Sequence, residues 1–440
     1  MGRRPLRGGG LSAPGGAGAA GFADLGVPEP VTAVLRRLGL TRPTPVQAAV
    51  LPDALAGRDV LGRAPTGTGK TLAFAIPMVA RLTTGHALAG RPRGLVITPT
   101  RELADQVGDV LADLGAARGL RTLVLIGGEK PARQRRLLAA PADIVVATPG
   151  RALQHLREGR MHLSDVAVAV VDEADELADR GFLPELDRIL DRLPREAQLM
   201  AFSATLGDRV APLLARLREP ARHEVGGAGA GGANAAGAVT RMRHLLLPVA
   251  DDAAADRLLP WIAARAGRTV LFVSGRHRVG EVAATLAAAG VACRTIHGDR
   301  GQAARRAALA DFAGGACPVL VATDVAARGL DIGGLDLVVH VDPAADPATY
   351  VHRSGRTARS GDAGTVATIA RARQLDAARR VLAAAGVAPE TLAAPPGSPA
   401  LAEALGARRP PGPRRRPGAA PRGTPRGNPR GGRRRDGRRG

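Results

Sequence analysis

Apolar residues fall in short unbroken runs along this chain. Gly94–Ile97, Thr122–Ile126, Asp143–Ala147 and Val166–Val171 are Val/Ile/Leu runs, separated by stretches with helical spacing. A continuous apolar run predicts a strand buried on both faces, and strands alternating with helices predict a parallel sheet covered on both sides. A second series follows, at Arg243–Pro248, Thr269–Ser274, Ala292–His297, Pro318–Ala322 and Leu337–Val341. Between the two series, Gly226–Ala238 is Gly and Ala with one Asn. Such a segment reads as a flexible link with a mean span of about 20 Å. The expectation is α/β: a unit over 21–224, a linker over 225–240 and a second unit over 241–394. Residues 1–20 and the Pro/Gly/Arg-rich stretch 395–440 lack periodicity and are expected to be disordered.

Charge sharpens this outline. The 440 residues carry a formal net charge of +22, which points to a polyanionic partner. Thirteen arginines against one aspartate between Arg408 and Gly440 supply +12 of it. The end of the chain therefore reads as a basic arm for RNA. Lys70 and Lys130 are the only lysines among 62 basic residues. Codon bias explains the preference for arginine but not the gathering of charge at the ends. Two cysteines, Cys293 and Cys317, make no disulfide framework, so a reducing cytoplasm is expected. Arg3 and Arg4 have no apolar core after them, and no window is long enough to span a bilayer, so neither secretion nor a membrane is expected.

The candidate chemistry starts at Ala64-Pro65-Thr66-Gly67-Thr68-Gly69-Lys70-Thr71. A β-rich run precedes it and an apolar helical run follows, the context of a phosphate-binding loop. Glycines let backbone N–H groups turn toward phosphate, and the helix start adds a favourable dipole. Lys70 would reach the β- and γ-phosphates, and Thr71 would ligate Mg²⁺. Asp172-Glu173-Ala174-Asp175 directly follows the Val166–Val171 run. An acidic pair at a strand's carboxyl end is where a Mg²⁺-holding aspartate belongs, with the glutamate beside it to orient or deprotonate water. Alone, the same residues would read as an acidic helix start favoured by the dipole.

With these residues in view, the chain resembles the DEAD-box RNA helicases over about residues 22–365. Arg42-Pro43-Thr44-Pro45-Val46-Gln47, with Phe22 upstream, matches the family's adenine-reading segment. Ala64 at the head of the phosphate loop is the family's usual form. Pro99-Thr100-Arg101-Glu102-Leu103, Gly127-Gly128 and Thr148-Pro149-Gly150-Arg151 match its RNA-contacting segments, and Ser203-Ala204-Thr205 its coupling segment. The second half matches at His297-Gly298-Asp299 with Gln302 and Arg305, at Thr323–Asp331, and at His352–Arg359.

The resemblance implies two tandem RecA-like domains, ATP and Mg²⁺ as cofactors, and RNA as partner. It implies nucleotide contacts from Phe22, Thr44, Gln47, Ala64, Thr66, Gly67, Thr68, Gly69, Lys70, Thr71 and Asp331. It implies RNA contacts from Arg101, Gly128, Thr148, Arg151, Gly298 and Thr323, and coupling through Ser203 and Thr205. Thr71 and Asp172 would hold the metal, and Glu173 would assist water. Arg356 and Arg359 would act from the second domain as arginine fingers, worth roughly 10³–10⁵ in rate. Three apart, they would share one face of a helix. Gln47 can read adenine N6 and N7 with one donor and one acceptor, which selects ATP. His297 and His352 are expected at interdomain or active-site positions.

Only eight residues are Phe, Trp or Tyr, so stacking platforms are scarce and little base specificity is expected. Leu40, Leu177 and Ala358 depart from the usual pattern without removing a catalytic group. Two rival readings are a DNA-translocating helicase and an RNA-annealing chaperone acting through the basic arm. Ribosome assembly, mRNA decay and cold adaptation are open as settings.

Overall fold

The computed structural model describes residues 21–64, 67–82, 85–225, 242–297, 301–324, 335–357 and 364–412. The first unit holds strands β1 (Val60–Arg63), β2 (Gly94–Ile97), β3 (Thr122–Leu125), β4 (Ile144–Ala147), β5 (Val168–Val171), β6 (Gln198–Ser203) and β7 (Ala221–Glu224). They form one sheet in the order β3-β4-β2-β5-β6-β1-β7, every pair parallel. The second unit holds β8 (Arg243–Val249), β9 (Thr269–Val273), β10 (Arg294–Ile296), β11 (Val319–Thr323), β12 (Leu337–His340), β13 (Thr365–Arg371) and β14 (Glu390–Thr391). Its order is β10-β11-β9-β12-β13-β8-β14, again all parallel. Numbered within each unit, the two orders are the same.

Burial explains why the runs were legible. Along β2, Leu95 and Ile97 face one core and Val96 the other, because successive side chains point to opposite faces. Helices cover both faces, so both sets are apolar and the run is unbroken. The second sheet repeats this, with Leu271 and Val273 in one core and Val270 and Phe272 in the other.

Three differences from the sequence reading stand out. The β13 strand was not among the runs read, although it lies between β12 and β8. Two of its seven residues are threonine and it ends in arginine, which breaks the apolar signal. Pro399–Leu405, assigned above to the disordered stretch from 395, is a helix capped by Ser398. Leu401 and Leu405 are buried in the second unit's core, and the Arg408 N–H donates to the Trp261 carbonyl at 3.0 Å. Its apolar pattern is too short to stand out within Pro- and Gly-rich flanks. Third, the Pro347–Ser354 helix ends before Arg356, which sits in a turn. The shared helical face inferred for Arg356 and Arg359 therefore does not exist at Arg356, and Arg359 lies outside the described residues. So do Thr66, Gly298, Asp331 and the 226–238 segment.

Candidate functional site

In parallel sheets of this kind, ligands gather beyond the carboxyl ends of the strands. The strand order divides the first unit's carboxyl edge in two. β5, β6 and β1 are neighbours, so Asp172-Glu173, Ser203 and the Ala64–Lys70 loop emerge side by side. β3, β4 and β2 form the other half and release Gly127-Gly128, Thr148 and Thr100-Arg101.

The first half is built around buried charge. Lys70 opens the Lys70–Arg81 helix, with Thr71 next to it, and its Nζ donates to the Ala64 carbonyl at 2.9 Å. Gly69 caps that helix at φ 95°, in the left-handed region, and a Cβ there would stand 2.5 Å from Gln47 Nε2. Only glycine fits this approach. Gln47 is buried. Its Oε1 accepts from the Thr44 N–H at 2.9 Å and its Nε2 donates to the Gly69 carbonyl at 3.0 Å. The first bond belongs to a capping box on the Pro45–Leu55 helix, so Gln47 joins that helix to the phosphate loop. Phe22 is buried in the core of the first unit.

Asp172 is 3% exposed, and its Oδ1 accepts from the Glu173 N–H at 3.0 Å. Burial, aided by Glu173, pushes its pKa up to about 7. Glu173 stands at φ 50°, an uncommon conformation for this residue type, and caps the Ala174–Asp179 helix. Glu176 in that helix is pushed up to about 8 by burial and by Glu173, although Arg180 holds it at 2.6 Å. Asp175 accepts from both the N–H and the hydroxyl of Thr205 at 2.9 Å, and its own N–H donates to Ser203 Oγ at 3.3 Å. Ser203 and Thr205 are thus tied to the acidic strand end.

These residues meet the second unit. Lys70, Glu173, Asp175, Glu176 and Ala204 line a narrow cleft whose opposite wall is His352 and Arg356. Arg356 is buried. One residue before the Pro347–Ser354 helix ends, Arg353 holds both oxygens of Asp324, at 2.5 and 2.6 Å. Thr323, the last residue of β11, is therefore fixed beside this pair.

The other half of the edge forms a groove of about 410 Å³ lined by Thr100, Arg101, Gly127, Thr148, Arg151 and Arg305, among others. Thr100 caps the Arg101–Ala116 helix by accepting from the Leu103 N–H, which sets Arg101 in its first turn. Gly128, at φ 82°, passes so close to Arg101 that a Cβ would overlap its guanidinium. Burial and the neighbouring Arg101 both lower the Arg151 pKa, and Arg151 Nη1 is buried without a partner among the described residues. Two adjoining cations with an unmet donor fit an anion.

Sequence reasoning named Glu102, Gln302 and Arg305 within family segments, but neither Asp105 and Arg306 nor the interdomain contact that all five carry. Asp105 accepts from Arg306 at 2.5 Å and from Gln302 at 3.0 Å, and Glu102 pairs with Arg305 at 2.9 Å. Glu102 and Asp105 lie three apart on one helix, a signal present in the sequence but without a visible partner. Nor were Arg180 and Phe182 read as groove residues. His297 sits at the end of β10 with Nδ1 buried and unpartnered among the described residues.

Among the described residues there is no cluster of three or more His, Cys, Asp or Glu side chains that could hold a metal. A Mg²⁺ ion held by one carboxylate, one hydroxyl and substrate phosphates needs none. The donor set of Asp172 and Thr71, with Asp172 held protonatable in the absence of a cation, fits such an ion.

Family models describe the same two halves. Residues 44–213 match the DEAD/DEAH box helicase model and residues 252–361 the helicase conserved C-terminal domain. The DEAD-box ATP-dependent RNA helicase CshA of Geobacillus kaustophilus is 38% identical over 80% of this chain and 74% of its own length. That of Bacillus subtilis is 36% identical over 82% of this chain and 71% of its own length. Among solved structures, S. cerevisiae Dbp5 bound to RNA and ADP BeF3 is similar, with a TM-score of 0.75 and 26% identity over 86% of this chain and 96% of that one. With both units matched in order and relatives of this identity along most of its length, the chain belongs to the DEAD-box RNA helicase family.

Proposed function

We propose that this chain is an ATP-dependent RNA helicase that grips RNA by its backbone and opens short duplexes or remodels RNA–protein complexes as ATP is hydrolysed. The observation that carries the reading is the divided sheet edge. One half presents Lys70 and Glu173, with Asp172 next in the chain, to Arg356 of the second unit, and the other presents Arg101 and Arg151 beside Arg305, also of the second unit.

In this reading, bound ATP supplies a phosphoanhydride whose cleavage by water releases energy. Lys70 would exchange its bond to the Ala64 carbonyl for a phosphate oxygen. Thr71 and Asp172 would hold Mg²⁺, whose charge would bring the Asp172 pKa down and keep it ionised. Glu173 would take the proton of the attacking water. Gln47 has one amide hydrogen and one lone pair left beyond its bonds to Thr44 and Gly69, enough for an adenine edge. Arg356 and Arg359 would neutralise charge developing on the transferred group. Because those arginines belong to the second unit, closure and turnover are linked, and RNA and ATP tighten each other's binding.

Arg101, Gly128, Thr148 and Arg151, with Gly298 and Thr323 of the second unit, would hold phosphates and sugars, which carry no sequence information. A strand held bent by its backbone leaves an A-form duplex, and the duplex opens locally. The cysteine usage supports a reducing cytoplasm, where ribosomal and mRNA-decay particles offer structured RNA to act on.

The test is steady-state ATP hydrolysis with no nucleic acid, with single-stranded RNA and with single-stranded DNA, each repeated with Glu173→Gln. Strong stimulation by RNA alone, lost in the variant, is expected. Equal stimulation by DNA would replace this reading with a dual-substrate or DNA motor.

A further inference from the structure

The Pro131–Leu138 helix is fastened to the first unit along one side only. Its Gln134 is fully buried and donates from Nε2 to the Ile126 carbonyl at 2.9 Å. Because that nitrogen must face a carbonyl, the amide oxygen faces His155 Nε2, 3.1 Å away, and His155 carries its proton there. One side chain thus ties this helix to the segment running into Gly127-Gly128 and to the helix that follows Thr148. Both border the Arg101–Arg151 groove. Arg151 adds a third tie, its Nη2 lying 3.5 Å from the Glu129 carbonyl, immediately before Lys130.

Most of the rest of the helix is exposed and carries Arg133, Arg135 and Arg136, and the exposed Lys130 stands just before it at the N-cap. Arg133 lies 3.7 Å from Glu129, and no ion pair meets Lys130, Arg135 or Arg136 among the described residues. The helix has no acidic residue in its first turn. Local stability accounts for only part of this pattern: Arg135 and Arg136 lie in the last turn, where the dipole favours cations. Lys130 and Arg133 stand at the positive end of the helix dipole, and Lys130/Arg133 and Arg133/Arg136 are like charges one turn apart, both unfavourable arrangements. Lys130 is also one of two lysines in a chain that otherwise writes its cations as arginine, the other being Lys70 in the phosphate loop. A compact ammonium and flexible guanidiniums on a rigidly anchored face suit a polyanion that is absent when the protein folds.

We propose that the Lys130–Arg136 face is a second RNA-backbone surface, which takes the phosphates of a strand where it leaves the groove. It rests on the RNA-helicase reading above and extends the bound length of RNA beyond the groove. The partner chemistry is a run of phosphodiesters, and base identity plays no part.

The test compares the full chain with Lys130→Gln/Arg135→Gln/Arg136→Gln and with a control, Arg37→Gln/Arg192→Gln/Arg380→Gln, which removes equal charge elsewhere on the surface. RNA binding is measured over a salt series with an oligonucleotide that fills only the groove and with one long enough to extend past it. The expected result is unchanged binding and RNA-stimulated ATP hydrolysis with the short RNA. With the long RNA, affinity falls about tenfold or more and the slope of log K against log salt drops by about 2, at roughly 0.7 per lost contact. The control keeps the parent slope. Loss with both RNAs, or a long-RNA slope equal to the parent's, overturns the proposal. A parent chain that no RNA stimulates overturns the helicase reading itself, and this inference with it.

Discussion

Arg305 Nε lies 2.9 Å from Glu102 Oε1, with the two side chains only 6% and 4% exposed, and the pair joins the two units across their interface. Removing one member of a buried pair leaves the other ionised without compensation, at a cost of about 3 kcal/mol. Here the molecule can escape that cost by separating its units. Arg305→Gln is therefore expected to lower RNA-stimulated ATP hydrolysis about a hundredfold. The distance between fluorophores on the two units should show the open arrangement persisting with RNA and a non-hydrolysable ATP analogue. Part of the loss should return in Glu102→Gln/Arg305→Gln. A variant that closes like the parent would remove this pair from the account of closure.

Glu173→Gln keeps shape and hydrogen-bonding capacity but cannot accept a proton from water. The turnover rate is expected to fall by about 10²–10⁴ with nucleotide affinity retained. Parallel measurement of kcat and of nucleotide binding separates the two effects, and equal loss in both would point to a binding role instead.

Gln47 spans Thr44 and the phosphate loop, so its loss acts twice. Gln47→Ala should reduce thermal stability by about 1 kcal/mol through the broken cap. It should also raise the KM for ATP and narrow the preference for ATP over GTP. Intact discrimination between the two nucleotides in this variant would exclude it as the adenine reader.

His340 is fully buried at the end of β12, its ring 4.8 Å from that of Tyr350, and neither nitrogen has a partner among the described residues. Burial, then Arg353 and His244, hold its pKa well below the ordinary 6.5. The unfolded chain therefore binds a proton that the folded one refuses. Stability from this group is complete above pH 6.5 and falls as pH drops below it, by about 1.4 kcal/mol per unit. Denaturant unfolding between pH 7.5 and 5 should show that slope reduced by one proton in His340→Leu. An unchanged slope would mean that other groups carry the acid sensitivity.

Ending the chain after 412 should leave the second unit intact, whereas ending it after 394 removes Leu401 and Leu405 from its core. Two buried leucines contribute about 3–6 kcal/mol, so the shorter chain should unfold at markedly lower temperature or denaturant. The chain ending after 412 then isolates the contribution of the basic arm to RNA binding. If both truncations unfold alike, the Pro399–Leu405 helix adds nothing to the second unit.

Much of this protein was written locally. The unbroken runs at β2, β4 and β5 mark strands because helices bury both faces of a parallel sheet. The phosphate loop, Asp172-Glu173 and the groove segments are legible because each binding task needs particular residue types at fixed spacing on one loop. Other features are not local. Nothing near Glu102 or Asp105 announces that Arg305 and Arg306, some two hundred residues later, will neutralise them, because the partners meet only when the two sheets face each other. β13 was hidden by its threonines, and the Pro399–Leu405 helix by its length; each is held by packing against a core formed elsewhere. The chain by itself determined which groups can do the chemistry. Tertiary structure decided which half of a sheet edge each occupies, because strand order rather than chain order sets which carboxyl ends are neighbours.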